Sequence, residues 1–452
     1  MAEAARPTAV RPTFVIAGGG LVGSMLAAFL GRAGYRVELL ERRGDPRGGQ
    51  MEAGRSINLA ISARGLNALA KLKLDDRLLS LGVPLFKRAI HSPTGSIASQ
   101  PYGIGDQAIY SFSRSELNRA LIQAAGEAPN VQLQFGRRCL EVDVAAGSIT
   151  HVDAATGGDM RTDEGIVIGA DGAFSFVRAA LQKREHQEYA QSYLEHGYKE
   201  LFIPTRPDGS AALDVNCMHI WPRGRFMMMA MANLDGSFTV TLYLPRTGEN
   251  GFDRLMTRDA VDAFFRREFP DAVPLMPTLH DDFFGNPIGA MVTIRTYPWR
   301  SSDKVVLIGD AAHAIVPFYG QGANCGFEDC LEFIAQLEQL KQSPGDLERA
   351  FEEFQRIRKP NAEAIADLAL ENFNEMRDHV ASRRFLWKKR FEKLLAQLLP
   401  GWYRPLYPMI AFSLIPYAEA RARAVRQART LRRIGASMGA LLVLLITWLV
   451  LR

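Results

Sequence analysis

The sequence predicts an α/β protein: a Rossmann-like dinucleotide-binding domain carrying an inserted antiparallel sheet substrate domain, then a helical C-terminal region and a tail helix. Three observations lead there. Residues 13–41 read strand, glycine turn, helix, strand, which is one parallel β-α-β unit. HIWP, FMMMAMAN and FTVTLYL follow one another between 196 and 245 with only turn-length gaps, as strands of one antiparallel sheet do. From Gly326 to Arg433 the pattern is dominated by helix.

In chain order, TFVIAG is a short apolar strand, LVGSMLAAFLGRAGY a helix closing near Gly34, and RVELLE the second strand. Residues 63–82 and 113–126 read as helical. The second of these opens on Ser113, three residues before Glu116, a capping-box spacing. Strands are expected through 131–168, and KVVLIGD (304–310) is an apolar strand ending on an acid. These readings divide the chain into a nucleotide domain (1–195 and 285–345, with pocket elements near 60–115), a sheet domain (196–284), a helical domain (346–433) and a tail (434–451).

Composition is that of a globular chain, with 47% hydrophobic and 23% charged residues among 452. The net charge of +5 is local, because residues 421–433 hold six Arg and no acid while the remainder is nearly neutral. A nucleic-acid surface is therefore not expected. Cys139, Cys217, Cys325 and Cys330 form no C-x-x-C pair and no metal-spaced cluster, so free thiols in a reducing compartment and no metal are expected. Residues 1–12 lack an apolar run, and no secretory leader is expected there. Ile434 to Leu451 carries no charge; as a helix it would span roughly 27 Å, enough for a bilayer core. With the preceding arginines it predicts a membrane anchor whose catalytic part faces the cytosol.

Gly18-x-Gly20-x-x-Gly23 closes the first strand and opens the first helix. The first glycine allows the tight turn, the second lets backbone approach a pyrophosphate, and the third lets helix and strand pack closely. The helix then presents free N–H groups to the phosphates. Glu41 ends the second strand, where an acid binds ribose hydroxyls. Arg42 and Arg43 would suit a 2′-phosphate, but the charge of Glu41 would repel one.

Two later motifs narrow the cofactor. Residues 169–178 read GADGAFSFVR and residues 308–329 read IGDAAHAIVPFYGQGANCGFED. They resemble the D-G and G-D motifs of the flavin-dependent aromatic hydroxylases, which implies noncovalent FAD, with NADPH as co-substrate. Asp171 falls on the first motif, tied in that family to FAD and NAD(P)H contacts. Asp310 falls on the acid that meets the FAD ribityl chain, and the backbone of Ala323 and Asn324 on the turn facing the flavin pyrimidine. Further segments, GRSINLAIS (54–62), HGYKEL (196–201), HIWPRGRFMMMA (219–230), PFYGQGANCGFEDC (317–330) and ENFNEMRDHV (371–380), make the whole chain similar to the kynurenine 3-monooxygenases within that family.

That resemblance implies further residues. FAD contacts fall on Val22, on Leu40 to Arg43, on Ala60, on Arg114 near the pyrophosphate and on Cys139 near the adenine. Substrate contacts fall on Arg88, Tyr102, Asn372 and Tyr407, with Phe318 as an apolar wall and Met376 one helical turn from Asn372. The implied reaction is 3-hydroxylation of L-kynurenine with NADPH and O₂ through a C4a-hydroperoxyflavin, a step of tryptophan catabolism leading to NAD. His313, in GDAAHA, is expected to make a structural hydrogen bond. The alternatives are a membrane flavin epoxidase or reductase acting on a lipid, which would need an apolar tunnel where Arg88 and Tyr102 predict a carboxylate anchor, and a non-catalytic membrane-tethered flavoprotein.

Overall fold

Five β-branched or apolar residues make Thr13–Ala17 a strand that can be buried on both faces, and it sits inside a six-stranded sheet. The structure, a computed structural model, describes residues 12–48, 57–103, 105–342, 347–375, 391–392, 394–399 and 401–451. Thr13–Ala17 pairs in parallel with Arg36–Glu41 on one side and Ile166–Gly169 on the other. Val131–Phe135 and Val305–Leu307 extend the sheet outward, also in parallel. Glu41, Asp171 and Asp310 therefore all lie at or just past the carboxyl ends of neighbouring strands, the edge where open parallel sheets bind ligands.

The helix Leu21–Arg32 packs its buried face on this sheet and against helix Arg114–Gly126, which opens on the predicted cap: Ser113 Oγ accepts from the Glu116 N–H. The expected helix over 63–82 is shorter. It comprises Ala63–Lys71 and a single turn Asp75–Leu79, and Gly82–Leu85 is a strand paired with Ile109–Ser113.

A seven-stranded sheet forms the second layer. It draws strands from both sides of the 196–284 segment, in the order Gly289–Tyr297, Glu188–Ile203, Phe238–Pro245, Met227–Ala232, Cys217–Pro222, Lys87–His91, Ile97–Pro101. All its neighbours are antiparallel except Cys217–Pro222 with Lys87–His91. Alternation along the strands sorts the side chains. Met228, Ala230, Val240 and Leu242 pack with Val261, Phe264 and Phe265 of helix Arg258–Glu268, while Met227, Met229, Met231 and Tyr243 face the other way, toward Phe318 and Tyr319. Lys87–His91 and its hairpin partner bring Arg88 and Tyr102 to that second face.

Helices Leu347–Asn374, Leu406–Ala411 and Tyr417–Val450 close the molecule. The membrane anchor expected at 434–451 is not supported: among the described residues no helix is long and apolar enough to cross a membrane. The stretch is not a separate span. It is the far end of helix Tyr417–Val450, which runs unbroken through the six arginines and whose other end is fixed by the buried Tyr417 and Ala420. The side chains at 442, 443, 445, 446 and 450 lie outside the described residues. The cytosol-facing orientation read from the arginines falls with the anchor.

Within the sheet layer, buried His219 donates or accepts at both ring nitrogens, 2.9 Å from His91 Nε2 and 3.0 Å from the Asp214 carbonyl. His91 continues to Asp271 at 2.7 Å, which Trp221 Nε1 also reaches. Burial, reinforced by His91, lowers the His219 pKa to about 4, although Asp214 and Asp271 act against it. A histidine kept neutral in the fold stabilises it fully above its unfolded pKa near 6.5, and that stability is lost as pH falls toward 4. The shift predicts a loss of about 3 kcal/mol across that window. Thermal unfolding between pH 7.5 and 4.5 should show this slope in the wild type and a flatter one in His219→Gln; equal slopes would remove His219 as the cause.

Candidate functional site: a glycine cradle and an arginine pocket

The fingerprint turn is built by steric exclusion. Gly18 adopts φ +106°, and a Cβ there would lie 2.5 Å from the Ala170 carbonyl oxygen; a Cβ on Gly23 would lie 2.0 Å from the Gly18 oxygen. Gly20 differs: nothing lies within 4 Å of its Cβ position. Helix Leu21–Arg32, which it precedes, has no side-chain cap, so its first N–H groups open onto free space. Gly309 and Gly326 both press on Val22, at 3.1 and 2.5 Å from their Cβ positions, which joins the G-D motif to the fingerprint. The Leu40 carbonyl accepts from Gly18 N–H at 2.8 Å.

Glu41 is buried beneath the turn. Its carboxylate accepts from Gly19 N–H (2.8 Å), Arg43 N–H (2.9 Å) and Arg43 Nε (2.8 Å). Burial alone would raise its pKa, but Arg43 and the two backbone donors hold it below the usual range. Arg42 is exposed beside it. Cys139 lies near the same end: burial, followed by the charges of Asp171 and Glu41, pushes its thiol up to about 12. Asp171 accepts from Ser175 Oγ (2.5 Å) and from the N–H groups of Phe176 (2.6 Å) and Val177 (3.2 Å), so its oxygens cap helix Phe176–Arg184. Burial dominates there and raises its pKa despite these donors. Asp310 contrasts with both: it is exposed at the end of its strand, and no hydrogen bond or ion pair reaches its side chain among the described residues.

Arg114 is exposed at the start of its helix. One turn on, Asn118 Nδ2 donates to the Gly19 carbonyl at 3.1 Å, while its buried Oδ1 has no partner. Sequence reasoning missed Asn118, although its spacing of four from Arg114 puts both on one helix face.

Helix Gly322–Gln342 supplies the other wall. Asn324 acts through its side chain as a clamp. Its Oδ1 accepts from Ser62 N–H (2.9 Å), Ser62 Oγ (3.1 Å) and Gly65 N–H (3.1 Å), and its Nδ2 donates to the carbonyls of Ala60 (2.9 Å) and Gly320 (2.8 Å). Below it, Glu328 and Asp329 meet two buried arginines. Arg64 reaches Glu328 at 2.5 Å; Arg358 reaches Asp329 at 2.6 Å and Glu328 at 3.3 Å. His313 Nε2 lies 2.6 Å from the other Asp329 oxygen. Burial opposes ionisation of Asp329, yet His313 and Arg358 hold its pKa at about 2. His313, Cys325 and Asp329 are close enough to ligate one metal ion, but Arg358 Nη2 lies 3.3 Å from Cys325 Sγ, and its guanidinium supplies the cluster's positive charge.

The pocket side gathers around Arg88. Its guanidinium lies 4.7 Å from the ring centre of Tyr102 and 4.8 Å from that of Tyr407, alongside the two rings, which stack on each other at 5.6 Å. Tyr319 stacks on Tyr407 from beyond at 5.7 Å. Tyr102 Oη donates to Met218 Sδ at 3.0 Å. Burial works against the charge of Arg88, but the facing phenol oxygens carry its pKa above the usual value. Arg88 Nε has no hydrogen-bond partner, and no carboxylate pairs with the guanidinium among the described residues. Asn372 Nδ2 donates to the Phe318 carbonyl at 2.7 Å, and Phe318 packs between Phe373 and Tyr243. Met376 lies outside the described residues. Arg88, Tyr102, Phe318, Asn372 and Tyr407, scattered over more than 300 residues, are thus brought together.

Comparison with known proteins agrees with this geometry. A family model described as "FAD binding domain" matches residues 12–369. The kynurenine 3-monooxygenase of Myxococcus xanthus is 46% identical over 411 residues, covering 91% of this chain and 88% of that protein, and the one of Dictyostelium discoideum is 44% identical over 416 residues, covering 90% and 89%. The chain belongs to the kynurenine 3-monooxygenase family. Among solved structures, 2-methyl-3-hydroxypyridine-5-carboxylic acid oxygenase (19% identity, TM-score 0.65, 83% of this chain and 95% of that one) and p-nitrophenol 4-monooxygenase of Pseudomonas putida (18%, 0.66, 84% and 93%) share the fold.

Like its family, the protein is an FAD-dependent aromatic monooxygenase. Its residues fit that cofactor: the open space at Gly20, the uncapped helix beside it, the orphaned Asn118 Oδ1 and Asp310, unpartnered among the described residues, are groups that a dinucleotide could satisfy.

The hub below the cradle makes a stability prediction. Arg358→Met leaves Asp329 buried with His313 and the Gly309 N–H as its remaining partners, and removing one member of a buried ion pair costs about 3–5 kcal/mol. Urea unfolding should register this. A loss under about 1 kcal/mol would mean that His313 suffices.

Proposed function

We propose that the enzyme hydroxylates L-kynurenine at ring carbon 3, with NADPH and O₂ as co-substrates. One observation carries the reading: Arg88, a guanidinium set against two tyrosine rings, has no carboxylate partner among the described residues. A charge held away from water requires a counter-ion, and a ligand carboxylate can meet the guanidinium with two parallel hydrogen bonds. Kynurenine offers an α-carboxylate for Arg88 and a flat aromatic ring for the apolar walls at Phe318 and Tyr319. Asn372, bound to the Phe318 carbonyl, fixes that wall.

In this reading the nucleotide domain (1–195 and 285–345) holds FAD. Gly18, Gly20, Val22 and Gly23 shape the pyrophosphate turn; Glu41, with Leu40, Arg42 and Arg43, takes the ribose; Cys139 and Asp171 lie toward the adenine end and the D-G turn; Arg114 faces the phosphates. Asp310 takes the ribityl chain, while Ala60, Ala323 and Asn324 border the isoalloxazine. When bound, FAD supplies the redox chemistry, taking two electrons from NADPH and passing one oxygen atom of O₂ to the substrate while the other leaves as water. The residues bind, orient and exclude water. The aniline amine makes the adjacent ring carbon electron-rich, and holding the carboxylate at Arg88 selects which edge of the ring is presented. The sheet segment 196–284 roofs the pocket, and helices 346–433 close it.

The deciding experiment is NADPH oxidation by the purified protein with and without L-kynurenine, with product mass measured. The expected result is substrate-stimulated oxidation and a product heavier by one oxygen; unstimulated oxidation and unchanged kynurenine would refute the reading. Two variants follow. Arg88→Ala should weaken kynurenine binding by about 2–4 kcal/mol, with Arg88→Lys rescuing only part because a point charge cannot form the planar fork. An unchanged KM would take Arg88 out of the site. Asp310→Ala should emerge colourless or nearly so, while the wild type is yellow; full flavin retention in the variant would relocate the ribityl contact.

A further inference from the structure

The C-terminal helix reaches the start of helix Gly322–Gln342 through one hydrogen bond. Tyr417, the first residue of Tyr417–Val450, is fully buried, and its hydroxyl donates to Gln321 Oε1 at 2.9 Å. Gln321 is also buried and stands between Gly320, at φ +65°, and the start of helix Gly322–Gln342. Its backbone carbonyl receives the Cys325 N–H at 2.8 Å, so the orientation of residue 321 sets the first turn of that helix. Tyr417 is itself fixed. The Arg64 guanidinium lies 3.9 Å over its ring, and Arg64 further binds Glu328, the Ile410 carbonyl at 2.8 Å and the Ile415 carbonyl. Among the described residues Gln321 Oε1 otherwise has only a long contact, 3.5 Å, from Ser62 Oγ.

We propose that Tyr417 is a positioning residue for the cofactor: through Gln321 it sets the backbone of 320–324, so that the C-terminal helix tunes how the protein holds the flavin. The proposal rests on the reading of 320–324 as the flavin-facing turn. Neither Tyr417 nor Gln321 belongs to the cradle or to the arginine pocket described above. The link is one neutral hydrogen bond in a dry setting, where the hydroxyl has no alternative partner and the amide oxygen only a weak one.

The test uses the full chain. Tyr417→Phe keeps the ring under Arg64 and deletes only the hydroxyl; Gln321→Leu removes the acceptor from the other side. Each should raise the FAD dissociation constant about threefold to tenfold, the range that loss of one buried hydrogen bond implies. Each should also shift the flavin midpoint potential and the fine structure of its visible spectrum, which general destabilisation of the fold would leave unchanged. The double variant should be no weaker than the weaker single one, because both cut the same link. Should Tyr417→Phe fail to fold, Gln321→Leu reads the same effect alone. Wild-type affinity, potential and spectrum in the variants, or additive losses in the double variant, would overturn the proposal. A wild type that binds no FAD would instead refute the cofactor reading beneath it.

Discussion

The structure depends on one buried charge cluster. Glu328 and Asp329, adjacent on helix Gly322–Gln342, are held by Arg64 from helix Ala63–Lys71 and by Arg358 from the long C-terminal helix Leu347–Asn374. Taking such charges from water is costly, and the arrangement persists only because nearly every donor finds an acceptor. Arg64 serves Glu328 and three backbone carbonyls; Asp329 serves Arg358, His313 and the Gly309 N–H. The cluster thereby ties the G-D motif, the fingerprint's neighbouring helix and the C-terminal helices to a single rigid element.

That rigidity explains the division between the two halves of the site. On the cradle side the surface is backbone, at positions where any Cβ would collide, as at Gly18 and Gly23, or where space is left free, as at Gly20. On the pocket side the groups are side chains: the Arg88 guanidinium rests against the rings of Tyr102 and Tyr407, and no carboxylate pairs with it among the described residues.

The C-terminal region does more than cover this arrangement. Tyr407 packs its ring against the Arg88 guanidinium, Met409, Ile410 and Ile415 accept from Arg64, and Tyr417 reaches Gln321. The surroundings of Arg88 and the turn at 320–324 therefore share a structural support contributed by the C-terminal helices.

How much of this was legible in the sequence follows from the range of the interactions. The β-α-β unit, the glycine turn, the terminal Glu41 and the Ser113 cap are local: each depends on residues within a few positions, or on one helix and its flanking strands, so spacing alone determined them. The motifs around Asp171 and Asp310 also determined the class of cofactor. Tertiary structure decided the rest. The helix expected over 63–82 ends at Lys71, where Lys73 turns to φ +49°, and residues 82–85 pair with the strand Ile109–Ser113 instead. The apolar tail reads as a span in isolation, but it is the end of a helix that carries six arginines and is fixed in the core at Tyr417. Asn324 became a side-chain clamp, and Arg64, Asn118, Gln321 and Tyr417 acquired roles, only because folding placed partners from as far as 351 residues away within hydrogen-bond reach. A buried polar side chain takes its meaning from whatever satisfies it, and for these residues the satisfying partner is not a neighbour in sequence.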